Sequence, residues 1–129
     1  MTREEKEILL QWIEKADHDL IAADILIQSN PIILDIACFH CQQAVEKYLK
    51  AFLVYHNHDF IFTHNLDYLI QQCSSISSDF VDLDMGNLGL YAIRARYPHD
   101  HTAPDLPEAT VYYQIASNIK QLVLNKIVL

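Results

Sequence analysis

The chain has 129 residues, 51% of them apolar, and only two glycines, a balance that supports one domain with its own hydrophobic core and disfavours a turn-rich β fold or intrinsic disorder. Nine Lys and Arg face 17 Asp and Glu, a formal charge of -8, so no general pull toward nucleic acid or anionic lipid is expected and any RNA contact has to be local. No apolar run approaches the roughly 20 residues that span a bilayer, no opening stretch pairs basic residues with a long apolar run, and an odd set of cysteines, Cys38, Cys41 and Cys73, does not suit a secreted disulfide framework; a cytoplasmic protein is expected.

Thr2 with Glu5 three positions on carries a capping-box signature, and Ile8, Trp12, Ala16, Leu20, Ala23 and Ile27 recur at helical steps, which predicts a helix from Thr2 to Gln28. Asn30 and Pro31 read as N-cap and first turn of a second helix reaching His56. Thr63 is expected to cap a short third helix bearing Leu66, Leu69 and Ile70. After "SSISSD" a fourth helical segment is expected to run to Arg96, broken near Gly86 and stopped by Pro98. Asp105 with Glu108 opens the last helix, whose stripe is Val111, Ile115, Ile119, Leu122 and Val123. The predicted fold is all-α: a single domain over residues 1–129 forming an up-and-down antiparallel four-helix bundle with an additional short helix.

The stretch "ACFHCQQAVEKYLKAF", residues 37–52, poses the functional question. At about 100° per residue, His40, Gln43, Glu46, Lys47 and Lys50 share one polar arc, while Ala37, Cys38, Cys41, Ala44, Val45, Tyr48, Leu49, Phe52 and Tyr55 occupy the opposite, core-facing one. Cys38 and Cys41 therefore read as core thiols. A zinc site needs about four ligands and no second pair completes one; a redox motif belongs at a helix N-terminus within a βαβ pattern. No metal or cofactor is expected. Ile32, Ile36 and Phe39 lie on the polar side, a mixture that suits a protein interface or a semi-buried polar cleft.

These residues resemble the HEPN domain family, helical domains named for higher eukaryotes, prokaryotes and nucleotide binding. "EKADHDLIAADIL" resembles the first-helix motif, and Phe39, His40, Gln43, Ala44, Glu46, Lys47, Lys50 and Ala51 match the second-helix pattern. "THNLDYL" resembles the start of the third helix, and "RYP", Arg96 to Pro98, the end of the fourth. The resemblance implies an up-and-down helical bundle, a homodimer, and pairing with a minimal nucleotidyltransferase in a two-gene, toxin–antitoxin-like system. It also implies, for some relatives, metal-independent ribonuclease chemistry through Arg, four to six residues, then His. That spacing occurs here as Arg94 with His99 and as Arg96 with His101, where histidine would move the 2'-hydroxyl proton and arginine would meet the developing phosphate charge. Here Ala95 and Tyr97 follow the arginines, where the nuclease members carry a polar residue.

Three readings follow. The first is a nucleotide- or RNA-end-binding protein that works with a nucleotidyltransferase, its ligand held by His40, Gln43, Glu46, Lys47, Lys50, His64 and Arg96; no Gly-rich phosphate loop is present, so side chains and helix ends would hold it. The second is an endoribonuclease toxin acting through Arg94 or Arg96 with His99 or His101. The third is a helical adaptor whose polar face docks another protein.

Overall fold

A computed structural model describes residues 1–95, 97–98 and 103–129 of the chain. The described residues form α-helices and short 3-10 turns with no strand, and the protein is a helical bundle. Helix α1 (Arg3–Gln28) opens with the full capping box: Glu5 N–H donates to Thr2 Oγ1 and Thr2 N–H to Glu5 Oε2, at 3.1 and 2.7 Å. Helix α2 (Leu34–Tyr55) is the central element, with fourteen of its 22 residues buried, apolar and polar alike. Helix α3 (Leu66–Ser74) is short, α4 (Tyr91–Arg94) is a single turn, and α5 (Leu106–Leu124) starts on Asp105, whose carboxylate caps Glu108 N–H at 2.8 Å.

Side-chain contacts fix the relative directions. Asp19 meets His40 and Lys47 while Trp12 lies over Lys50, so α1 and α2 are antiparallel. Helix α5 runs in the same sense as α2: Tyr48 and Lys120 share Asp17, and Tyr55 Oη bonds both the N–H and the C=O of Val128. The core between these helices holds Tyr48, Leu49, Phe52, Leu53, Leu69, Phe80, Leu88 and Ile119. Phe80 stacks on Phe52 with centroids 4.6 Å apart, a contact worth about 0.5–1.5 kcal/mol beyond its area, which pins the Ser78–Phe80 turn to α2.

Three expectations are corrected. Asn30 does not cap α2: Ser29 Oγ donates to the carbonyls of Leu26 and Pro31, holding both residues in the connection, and α2 begins at Leu34 with Ile33 as its uncapped N-cap. Asn65, rather than Thr63, caps α3, accepting from Tyr68 N–H, while Thr63 Oγ1 accepts from Asn65 N–H one step earlier. The long fourth helix is replaced by two 3-10 turns, Ser78–Phe80 and Leu88–Leu90, and the single turn of α4. Local side-chain bonds compete with helix there: Ser77 Oγ accepts from Asp79 N–H, Asp84 Oδ1 accepts from Gly86 N–H, and Gly86 takes a φ of 53° that no helix allows.

Candidate functional site

The polar arc of α2 is packed rather than solvated. Opposite its N-terminal half, α1 places Asp19 mid-helix, where aspartate is a poor helix former and serves by its charge. Its carboxylate accepts from His40 Nδ1 at 2.8 Å and from the Lys47 ammonium. On the same arc, Glu46 accepts from His64 Nδ1 at 2.8 Å and from Lys50 Nζ at 3.1 Å. Gln42 Nε2 donates to the His64 carbonyl at 3.2 Å, and Gln43 Nε2 donates to Gln42 Oε1 at 2.6 Å. These bonds tie the segment between α2 and α3 onto the face of α2. Asp17 completes the seam, receiving Tyr48 Oη and Lys120 Nζ and so joining α1, α2 and α5. Burial first, then the bond to Asp17, pushes the Tyr48 phenol up.

Exposure divides the expected ligand residues in two. Lys50 and Glu46 side chains are 3% and 4% exposed, and the Lys50 ammonium lies 5.5 Å from the ring centroids of both Trp12 and Phe62. A buried cation over these two rings is stabilised by their quadrupoles, with Glu46 supplying the counter-charge. Gln43 is buried as well. His40, Lys47 and His64 instead reach solvent, their side chains 28%, 23% and 46% exposed. A carboxylate paired with a lysine is an acceptor only, so Nδ1 of each imidazole carries the proton that it donates and Nε2 remains as an acceptor. The arrangement can receive a ligand's hydroxyl or phosphate at a rim of two oriented imidazoles and one ammonium.

The remaining candidates lie elsewhere. Arg94 ends α4, half-buried, its guanidinium 6.0 Å from the Tyr91 ring centroid. Arg96, His99 and His101 lie outside the described residues. Cys38, Cys41 and Cys73 are buried free thiols, and burial pushes each up to about 12, with Glu108 and Asp35 adding to the effect at Cys38. Such thiols are neutral at physiological pH and pack as small apolar groups. Among the described residues no cluster of three or more His, Cys, Asp and Glu side chains is arranged to hold a metal ion, and no helix is long and apolar enough to cross a membrane.

Sequence reasoning placed Trp12 in the first helix's apolar stripe and Asp19 within the first-helix motif, but gave neither of them, nor Gln42 or Phe62, a role in the site. For Asp19 a signal existed: a charged residue two places from Asp17 inside an otherwise regular amphipathic stripe. For Trp12 and Phe62 none did, because their common partner Lys50 is 38 and 12 positions away in the chain.

A family model described as HEPN domain matches residues 9–127. No curated protein and no solved structure matches the chain. The matched span takes in most of α1, the whole of α2 with its polar seam, and α5 at the far end, and the chain therefore belongs to the HEPN domain family.

Proposed function

We propose that this HEPN protein binds a nucleotide or RNA end at the rim of the α1–α2 seam and works, as a cytoplasmic homodimer, with a minimal nucleotidyltransferase in a two-gene, toxin–antitoxin-like system. The observation that carries the reading is the solvent-reaching trio of partly exposed His40 and Lys47 and exposed His64, each already oriented by a buried carboxylate. A ligand phosphate then meets the Lys47 ammonium, and a ligand hydroxyl an imidazole Nε2 acceptor, with rotamers fixed beforehand, which lowers the ordering cost of binding. Gln43, Glu46 and Lys50 support the rim from inside and do not themselves contact ligand. Arg96 retains its role as a phosphate fork from the sequence. The acidic surface keeps the site local, in keeping with a short ligand rather than a long nucleic-acid track.

The test is co-purification with the neighbouring nucleotidyltransferase, followed by anisotropy titration of a labelled short RNA and of ATP. Lys47→Ala is expected to weaken binding about tenfold, the loss of one charge-assisted hydrogen bond, and His64→Ala by a smaller factor, the loss of a neutral one. Binding indifferent to both changes would remove the rim from the reading. EDTA-resistant cleavage of the RNA, lost in His99→Ala or His101→Ala, would replace it with the ribonuclease alternative.

A further inference from the structure

The segment that joins α2 to α3 sends one phenylalanine inward and the next outward. Phe60 packs against the core, whereas Phe62 is 89% exposed and Ile61 beside it is exposed as well. A lone apolar side chain at a surface needs no account. Here the backbone that carries the pair is fixed on both sides: Ile61 N–H donates to Tyr68 Oη at 3.1 Å, Asn65 N–H donates to Thr63 Oγ1 at 3.0 Å, and His64 is tied to α2 through both its carbonyl and its ring. The fold holds the Phe62 ring out in solvent instead of leaving it loose.

Covering the Lys50 ammonium accounts for only part of that ring. Lys50 Nζ lies 5.5 Å from its centroid and equally far from that of Trp12, yet the contact leaves nearly all of Phe62 open to water. Beside it stands the His64 imidazole, roughly perpendicular, with centroids 5.7 Å apart. Lys47 precedes Lys50 by three residues on α2, a rise of about 4.5 Å. An open π face therefore adjoins a hydroxyl acceptor and a partly exposed ammonium.

We infer that Phe62 is a stacking platform for the unpaired base of a nucleotide or RNA end, with His64 Nε2 accepting from a ribose hydroxyl and Lys47 meeting the phosphate. Stacking uses the π face that every base has, so the platform tolerates any base. The inference rests on the reading of the chain as a nucleotide- or RNA-end-binding protein and deepens it by giving the base a place. The acceptor and the ammonium beside the ring match the ribose and phosphate that a stacked base carries with it, which favours a nucleotide over a protein side chain as the occupant.

The experiment titrates AMP, CMP and ribose 5-phosphate, which lacks a base, into the full chain by calorimetry and saturation-transfer NMR. The proteins are wild type, Phe62→Leu, Phe62→Trp and Lys47→Ala, each checked by circular dichroism and melting. Phe62→Leu keeps an apolar cover over Lys50 and removes the π face, so it separates stacking from structure. AMP and CMP are expected to bind wild type more tightly than ribose 5-phosphate does, to lose about tenfold in Phe62→Leu and to keep their affinity in Phe62→Trp. Equal binding of AMP and ribose 5-phosphate to wild type, or AMP binding that ignores Phe62→Leu but falls in Lys47→Ala, would overturn the platform and leave the proposed function standing. AMP binding that depends on Phe62 and ignores Lys47→Ala sustains the platform and removes the seam's phosphate role. A changed sedimentation of Phe62→Leu with nucleotide binding intact overturns the platform too and assigns the ring to a protein contact. No binding of AMP or CMP to wild type also overturns it, and the short-RNA titration then decides the proposed function by itself.

Discussion

Lys50 shows how one side chain can change role between sequence and structure. On a helical wheel it belongs with the charged row, but in the fold it is 2% exposed, paired with Glu46 and over the rings of Trp12 and Phe62. Glu46 in turn anchors His64, so one carboxylate supports both the buried cation and an exposed imidazole. Deleting the anion should cost more than deleting both charges, because a lone buried ammonium has no way to recover its hydration. Glu46→Gln is expected to lower stability by about 3–5 kcal/mol in urea unfolding, and Lys50→Met added to it should restore a good part of that loss. If the two changes cost their simple sum, Glu46 and Lys50 are not a coupled pair.

At the scale of the element, the segment between α3 and α5 is governed by backbone rather than by periodicity. Its apolar residues Phe80, Met85, Leu88 and Tyr91 all reach the core, yet they do so from turns instead of a continuous helix. Tyr91 and Tyr112 both donate to Glu108, at 3.3 and 3.0 Å, which fastens α4 to α5. The two glycines should respond oppositely to the same substitution. Gly86→Ala has space, its Cβ 3.7 Å from Tyr112 Cε1, but would be held at a positive φ, a cost of about 1–2 kcal/mol. Gly89→Ala has no such strain and is expected to be neutral or to stabilise by about 0.4–1 kcal/mol through the unfolded chain. Thermal unfolding of the two variants side by side checks the pair; equal losses would mean that Gly89 too is structurally required.

For the molecule as a whole, the expectation of a dimer now has a surface to test. Ile32 is exposed, and Ile36 and Phe39 are half-buried where α1 gives way to α2, a group of large apolar side chains with no reason to face water. Sedimentation at micromolar concentration should give a dimer, and Ile32→Ser with Phe39→Ser should shift it toward monomer without loss of helix. A wild-type monomer under those conditions would count against a homodimer on this face.

What the sequence determined by itself was whatever one stretch of chain encodes locally. The capping box at Thr2 and Glu5, the start of α5 at Asp105, and the core-facing cysteines of α2 all follow from spacing and helical phase. The second-helix motif, from Phe39 to Ala51, carried the family for the same reason, since its residues are consecutive turns of one helix. Tertiary structure decided which side of that motif is free. The wheel places His40, Gln43, Glu46, Lys47 and Lys50 on one arc, but it cannot show that Asp19 arrives from α1, or that His64 and Phe62 arrive from the segment before α3. Those partners lie between 12 and 28 positions away in sequence. Burial depends on what packs against a face, and a charged residue becomes interior only when the fold brings it a counter-charge.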